Sequence, residues 1–105
     1  MVQGTLDMLI LRTLVLGPAH GQTIAHAIER GSEEVLQVEH GSLYPALHRL
    51  ERQKLLKALW READGRRRKY YELTDAGRIE LASRKQSWLR FAAGINGVLG
   101  PNRAC

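Results

Sequence analysis

The chain has 105 residues, 44% of them apolar and 26% charged, the composition of one soluble globular domain with no room for a second. A chain this short buries only roughly 60 to 68% of its unfolded surface, so it gains much from a partner subunit. Sixteen Lys and Arg against eleven Asp and Glu give +5 and a pI near 9.9, which favours an anionic partner without naming one.

The first apolar stretch, Leu6 to Leu16, carries one stripe of Leu6, Leu9, Ile10 and Leu14 and a second of Met8, Leu11 and Val15. A helix apolar on more than one face is either central or shared between the core and another chain. Asp7, Arg12 and Thr13 interrupt it and no basic segment precedes it, so a signal peptide is not expected. Nothing reaches the ~20 apolar residues of a membrane span, and no membrane partner is expected. Gly17-Pro18 ends this helix.

His20 to Arg30 reads as a second helix with Ile24, Ala27 and Ile28 inward, stopped at Gly31-Ser32. A third starts with Ser42 as N-cap and Pro45 in the first turn, and repeats Leu43, Leu47 and Leu50 at i, i+4, i+7 up to Gln53. Three short helices joined by Gly-punctuated turns make a helix-turn-helix layout.

After Leu55 the period becomes two. Leu56, Ala58 and Trp60 share one face, which makes Trp60 a core candidate, and Tyr71 and Leu73 alternate with Tyr70 and Glu72. Asp64-Gly65 between the runs is a two-residue hairpin signal of type I′, so a two-stranded ribbon is expected over Lys57 to Glu62 and Arg67 to Leu73. Thr74 caps a fourth helix, with Asp75 in its first turn. Leu81, Trp88 and Ile95 recur there every seven residues, with Ala92 and Leu99 on the second line, the pattern of a helix packed along another helix. Gly100 to Cys105 reads as a frayed tail. With Cys105 the single cysteine, no intrachain disulfide is possible, and a reducing cytoplasm is the simplest compartment.

The fold class expected is therefore mostly α with a small two-stranded β wing: a winged helix-turn-helix over residues 1–73, a C-terminal dimerisation helix over 74–99 and a tail. The charge is local. Arg49 to Lys69 holds nine basic and three acidic residues, +6 in 21 residues, leaving the other 84 at −1. Arg66, Arg67, Arg68 and Lys69 sit in a row at the hairpin, where like charges repel and the fold gains nothing from them. An anionic partner offsets that repulsion. A helix offering Ser42, Tyr44, His48 and Arg49 beside a basic hairpin fits the major groove of double-stranded DNA with flanking phosphate contacts. RNA, an anionic membrane surface, or a solvated helix face remain the other readings of the same residues.

Gly41-Ser42-Leu43-Tyr44-Pro45-Ala46-Leu47-His48-Arg49-Leu50-Glu51, then Arg67-Arg68-Lys69-Tyr70-Tyr71 and Leu73-Thr74-Asp75-Ala76-Gly77-Arg78, resemble the PadR-type bacterial transcriptional regulators. So does the opening, Gly4-Thr5-Leu6-Asp7-Met8-Leu9-Ile10-Leu11, with Gly17-Pro18 and His20-Gly21 after it. The resemblance implies a winged-helix repressor that works as a homodimer, with the first and last helices of each subunit forming the dimer contacts; such a dimer is expected to bind a pseudo-palindromic operator and to be released by a small molecule. It implies a recognition helix bearing Ser42, Tyr44, Pro45, His48 and Arg49, a wing bearing Arg66 to Lys69, and Tyr71 at the wing base. It further implies that Trp88, with Leu81, Ala92 and Ile95 on the subunit seam, either packs the dimer or binds a small flat aromatic effector. Lys54 stands where the family often has Gly, so either a positive-φ cap strains it by about 1 to 2 kcal/mol or the third helix runs on, and Gln22 replaces the usual aromatic after His20-Gly21.

Enzymatic readings find little support. His20, His26, His40 and His48 lack ligand spacing, so no metal or other cofactor is expected, and Asp7, Glu29 and Glu39 show no sign of convergence. The rival from another class is a dimeric basic module that senses a ligand or binds an acidic protein without touching DNA.

Overall fold

The computed structural model describes residues 2–100. Helix α1 (Gln3–Thr13) continues into a 3-10 turn (Leu14–Leu16), followed by strand β1 (Ala19–His20), helices α2 (Gly21–Gly31) and α3 (His40–Arg52), strands β2 (Leu56–Ala63) and β3 (Arg66–Leu73), and helix α4 (Asp75–Leu99). The fold is the mostly helical winged arrangement expected, with one correction. The sheet has three antiparallel strands in the order β1-β3-β2, because Ala19 and His20 pair with Tyr71 and Tyr70 along the free edge of β3. That pairing ties the start of α2 to the root of the ribbon.

One apolar cluster joins the elements. Leu6, Ile10, Leu11 and Leu14 meet Ile24, Ala25 and Ile28 of α2 and Leu43, Ala46, Leu47 and Leu50 of α3, closed by Leu56, Tyr71 and Leu73 from the sheet and Leu81 from α4. Each fully buried Leu or Ile contributes about 1.5–3 kcal/mol of transfer energy. The four anchors of α3 therefore hold it in place while its opposite face stays polar.

The turns follow local chemistry. Asp64 and Gly65 both take positive φ, 52° and 74°, as a type I′ hairpin requires. Thr74 caps α4, its Oγ1 accepting from the Gly77 amide at 3.0 Å and donating back toward the Lys54 and Leu55 carbonyls. Gly77 is needed there, since a β-carbon would stand 2.3 Å from the Leu55 carbonyl oxygen.

Two sequence expectations shift, and the alternative left open at Lys54 is decided. Helix α3 starts two residues before Ser42, with Glu39 at the N-cap position and no side-chain cap, so Pro45 lies inside the helix. Having no N–H, Pro45 leaves the Gly41 carbonyl without its helical donor, which is tolerable only because Gly41 is exposed. The helix does not run on at Lys54: it ends at Arg52, and Lys54 itself adopts φ 62°. Trp60 is 55% exposed, not core. Alternation assigns it the face of Leu56, but the ribbon has by then left the domain, so that face meets solvent. Helix α4 reaches Leu99 before Gly100 at φ 88°. The proposed tail, apart from Gly100, lies outside the described residues.

Helix α4, at 25 residues, is about 37 Å long. Only Gly77 and Leu81 are buried in it, so most of its length stands clear of the domain, and the described chain extends 59 × 27 × 23 Å. No described helix is long and apolar enough to cross a membrane.

Candidate nucleic-acid interface

Helical geometry sorts the polar residues of α3. With Leu43, Ala46, Leu47 and Leu50 inward, Gly41, Pro45, His48 and Arg52 point directly outward, Tyr44 and Glu51 flank them on one side, and Ser42 and Arg49 on the other. Ser42, Tyr44, Pro45 and His48 are all exposed.

The flank of Tyr44 opens on a groove of about 420 Å³ lined by His20, Gly21, Gln22, Tyr44, His48, Arg66, Arg68, Lys69 and Tyr71. The start of α2, the middle of α3 and the arm of the wing thus converge on one concave strip. Tyr44 packs so closely over α2 that a β-carbon on Gly21 would lie 2.9 Å from its ring. Tyr71, 2% exposed, anchors the base of the strip, and its burial raises the phenol's pKa.

The four wing cations divide. Arg66, Arg67 and Arg68 are exposed and Lys69 is half-buried. Arg67 stacks over the Trp60 ring at 5.0 Å and Arg61 over Tyr70 at 5.2 Å, contacts that orient guanidinium groups without neutralising them. Lys69 donates to Glu51 Oε1 at 3.1 Å, tying the wing to α3. Burial works against its charge, but the Glu51 hydrogen bond and the nearby Tyr71 outweigh it, and the pKa rises.

His20 sits at the seam, edge-on to Tyr70 at 5.5 Å, with Nε2 3.0 Å from Thr23 Oγ1 and 3.4 Å from Arg68 Nη1. A guanidinium has only donors, which fits an unprotonated Nε2. Desolvation, then Arg68 and His26, lower its pKa from the usual 6.5.

Arg49 is placed differently from its neighbours. Its Nη2 and Nε donate to Asp7 Oδ1 and Oδ2 at 2.6 and 3.2 Å, turning it toward α1 and away from the strip. Asp7, read from sequence as an unconverged carboxylate, is 4% exposed and also 3.8 Å from Arg84 of α4. Glu29 likewise has a partner, accepting the Val38 amide at 3.0 Å.

A second feature is the apolar face of α4. Trp88, Phe91, Ile95, Val98 and Leu99 are exposed along one side, with Ala92 half-buried, and the Trp88 and Phe91 rings lie 5.8 Å apart. Leu81 belongs to the core of the chain, so the uncovered line begins at Trp88. Phe91 and Val98 escape the heptad reading, which puts Ala92 and Leu99 on the second line; the spacing 88, 91, 95, 98 identifies the exposed one. Trp88 also edges a groove of about 510 Å³ between α1 and α4, whose lining includes Met8, Ser83, Arg84 and Ser87.

Comparison with known proteins agrees with this architecture. The profile described as the transcriptional regulator PadR-like family matches residues 10–83. A transcriptional regulator of Mycobacterium tuberculosis is 36% identical over 78 residues, which is 74% of this chain and 70% of that protein. Among solved structures, a transcriptional regulator from Clostridium thermocellum superposes with a TM-score of 0.86 at 28% identity, covering 92% of this chain and 95% of that one. A PadR family transcription regulator from Clostridium difficile gives 0.79 at 33% identity, covering 90% and 98%. The chain belongs to the PadR-like family of transcriptional regulators, DNA-binding proteins rather than enzymes.

Proposed function

We propose that the protein is a homodimeric repressor that reads a pseudo-palindromic operator, with α3 of each subunit in successive major grooves about 34 Å apart and the wing on the flanking backbone. The observation that carries this reading is the groove at which α2, α3 and the wing meet, since Tyr44 and His48 face it alongside Arg66, Arg68 and Lys69. Ser42, Tyr44, Pro45 and His48 supply contacts to base edges and sugars, while Arg66, Arg67, Arg68 and Lys69 supply phosphate contacts. The unpaired apolar face of α4 supports a second subunit along Trp88, Phe91, Ile95 and Val98. The α1/α4 groove beside Trp88 supports release by a small flat aromatic molecule, which can act only by binding the two dimer geometries unequally.

The test replaces Arg66, Arg67, Arg68 and Lys69 together by Ala and titrates both proteins against a duplex that the wild type enriches from random-sequence DNA. The wing variant is expected to lose binding at salt concentrations where the wild type saturates, with its dimer intact by sedimentation. Equal affinity of the two would remove the wing from the interface.

A further inference from the structure

Arg49 lies on the recognition helix within the most basic stretch of the chain, yet its guanidinium is spent on a carboxylate. Both Asp7 oxygens accept from it, and the Asp7 side chain is 6% exposed against 23% for Arg49. A buried carboxylate is costly unless matched by good geometry, and breaking such a pair is more costly still. The parallel fork fixes orientation as well as charge. The second cation near Asp7 is Arg84, 3.8 Å away on α4 and held there by Glu80 at 2.6 Å, so α1, α3 and α4 meet at one anion.

We infer that Asp7 and Arg49 are positioning residues for DNA binding. The pair sets the angle of α3 against α1 and, through Arg84, against the helix that carries the uncovered apolar face; Arg49 touches no phosphate. The inference rests on the DNA-reading face proposed above and adds residues that lie off it.

The sign of one substitution separates this from simple electrostatics. Asp7→Asn adds one positive charge per subunit and frees Arg49, which should strengthen DNA binding if charge alone mattered. The positioning role predicts the reverse: affinity for the wild-type-selected duplex falls about three- to thirty-fold, and adding Arg49→Gln to Asp7→Asn costs little more. If Arg49 instead bound a phosphate, Arg49→Gln would also shrink the slope of log K against log salt by about 0.9 per subunit, whereas a positioning role leaves that slope unchanged. Arg49→Lys is the companion variant, which keeps the charge but not the fork, and it is read alone if Asp7→Asn fails to fold. It is expected to bind as poorly as Arg49→Gln. Unchanged or tighter binding by Asp7→Asn, or full affinity in Arg49→Lys, overturns the inference alone. Failure of the wild type to bind any selected duplex overturns the proposed function, and this inference with it.

Discussion

Lys54 carries backbone strain in plain view. At φ 62° it occupies the left-handed region, which costs a residue with a β-carbon about 1 to 2 kcal/mol. Lys54→Gly should therefore raise stability by up to about 1 kcal/mol, part of the relief being offset by the entropy glycine loses on folding; urea unfolding measures it. The substitution of Lys for the family's usual Gly is visible in the sequence, but its consequence is not. A chain can continue its helix or accept the strain; here the Lys54 and Leu55 amides bond back to the Glu51 and Leu50 carbonyls at 2.9 and 3.0 Å, and Thr74 holds the Lys54 and Leu55 carbonyls from α4.

His20 predicts a pH dependence. Its folded pKa lies below the 6.5 of an unfolded His, so the folded chain binds fewer protons and stability falls as pH drops below 6.5 toward that lower value. A DNA phosphate in the groove would raise the same pKa, so binding takes up a proton and affinity should rise on acidification through that window. His48 lines the groove too, and the informative quantity is the wild type minus His20→Asn. A pH profile identical in the two proteins would place His20 away from the phosphates.

At the scale of elements, α3 and the wing act as one surface because β1 and Tyr44 stitch α2 to both. Gly21→Ala probes the stitch. Its new β-carbon would meet the far end of the exposed Tyr44 side chain at 2.9 Å, which can give way, so stability should change by less than about 1 kcal/mol while DNA affinity drops several-fold. Thermal melting and duplex titration separate the two effects. The helices and hairpin are legible in the sequence because periodicity and turn residues are local signals: Asp64-Gly65 specifies its turn outright. Strand β1 is not, since two residues after Pro18 carry no period. Trp60 is misassigned because alternation reports a face and not a depth, and the ribbon's face passes from Leu56 at 2% exposure to Trp60 at 55% within four residues.

Over the described residues the chain is a winged-helix body with a long helix reaching out of it. Exposed apolar side chains in a contiguous line mark an interface more often than a surface. Sedimentation should give a dimer at micromolar concentration, and Ile95→Lys, which puts a charge at the centre of that line, should give a folded monomer that binds a full operator at least about ten-fold more weakly. A dimer that survives Ile95→Lys would move the interface elsewhere. The sequence announces a helix that packs on another helix, yet heptad spacing alone counts Leu81 among the shared residues, when the subunit's own core already covers it.

Charge is the other whole-molecule property. The +6 carried by Arg49 to Lys69 reads as one uniform patch, but Arg49 is paired with Asp7 and Lys69 with Glu51, so Arg61, Arg66, Arg67 and Arg68 carry exposed charge on the wing. The measurement that tests the DNA-reading dimer most directly is the dissociation constant for its selected duplex across a salt series. If the dimer neutralises roughly 6 to 8 phosphates, log K should fall with log salt at a slope of about −5 to −7. A slope near zero would contradict it.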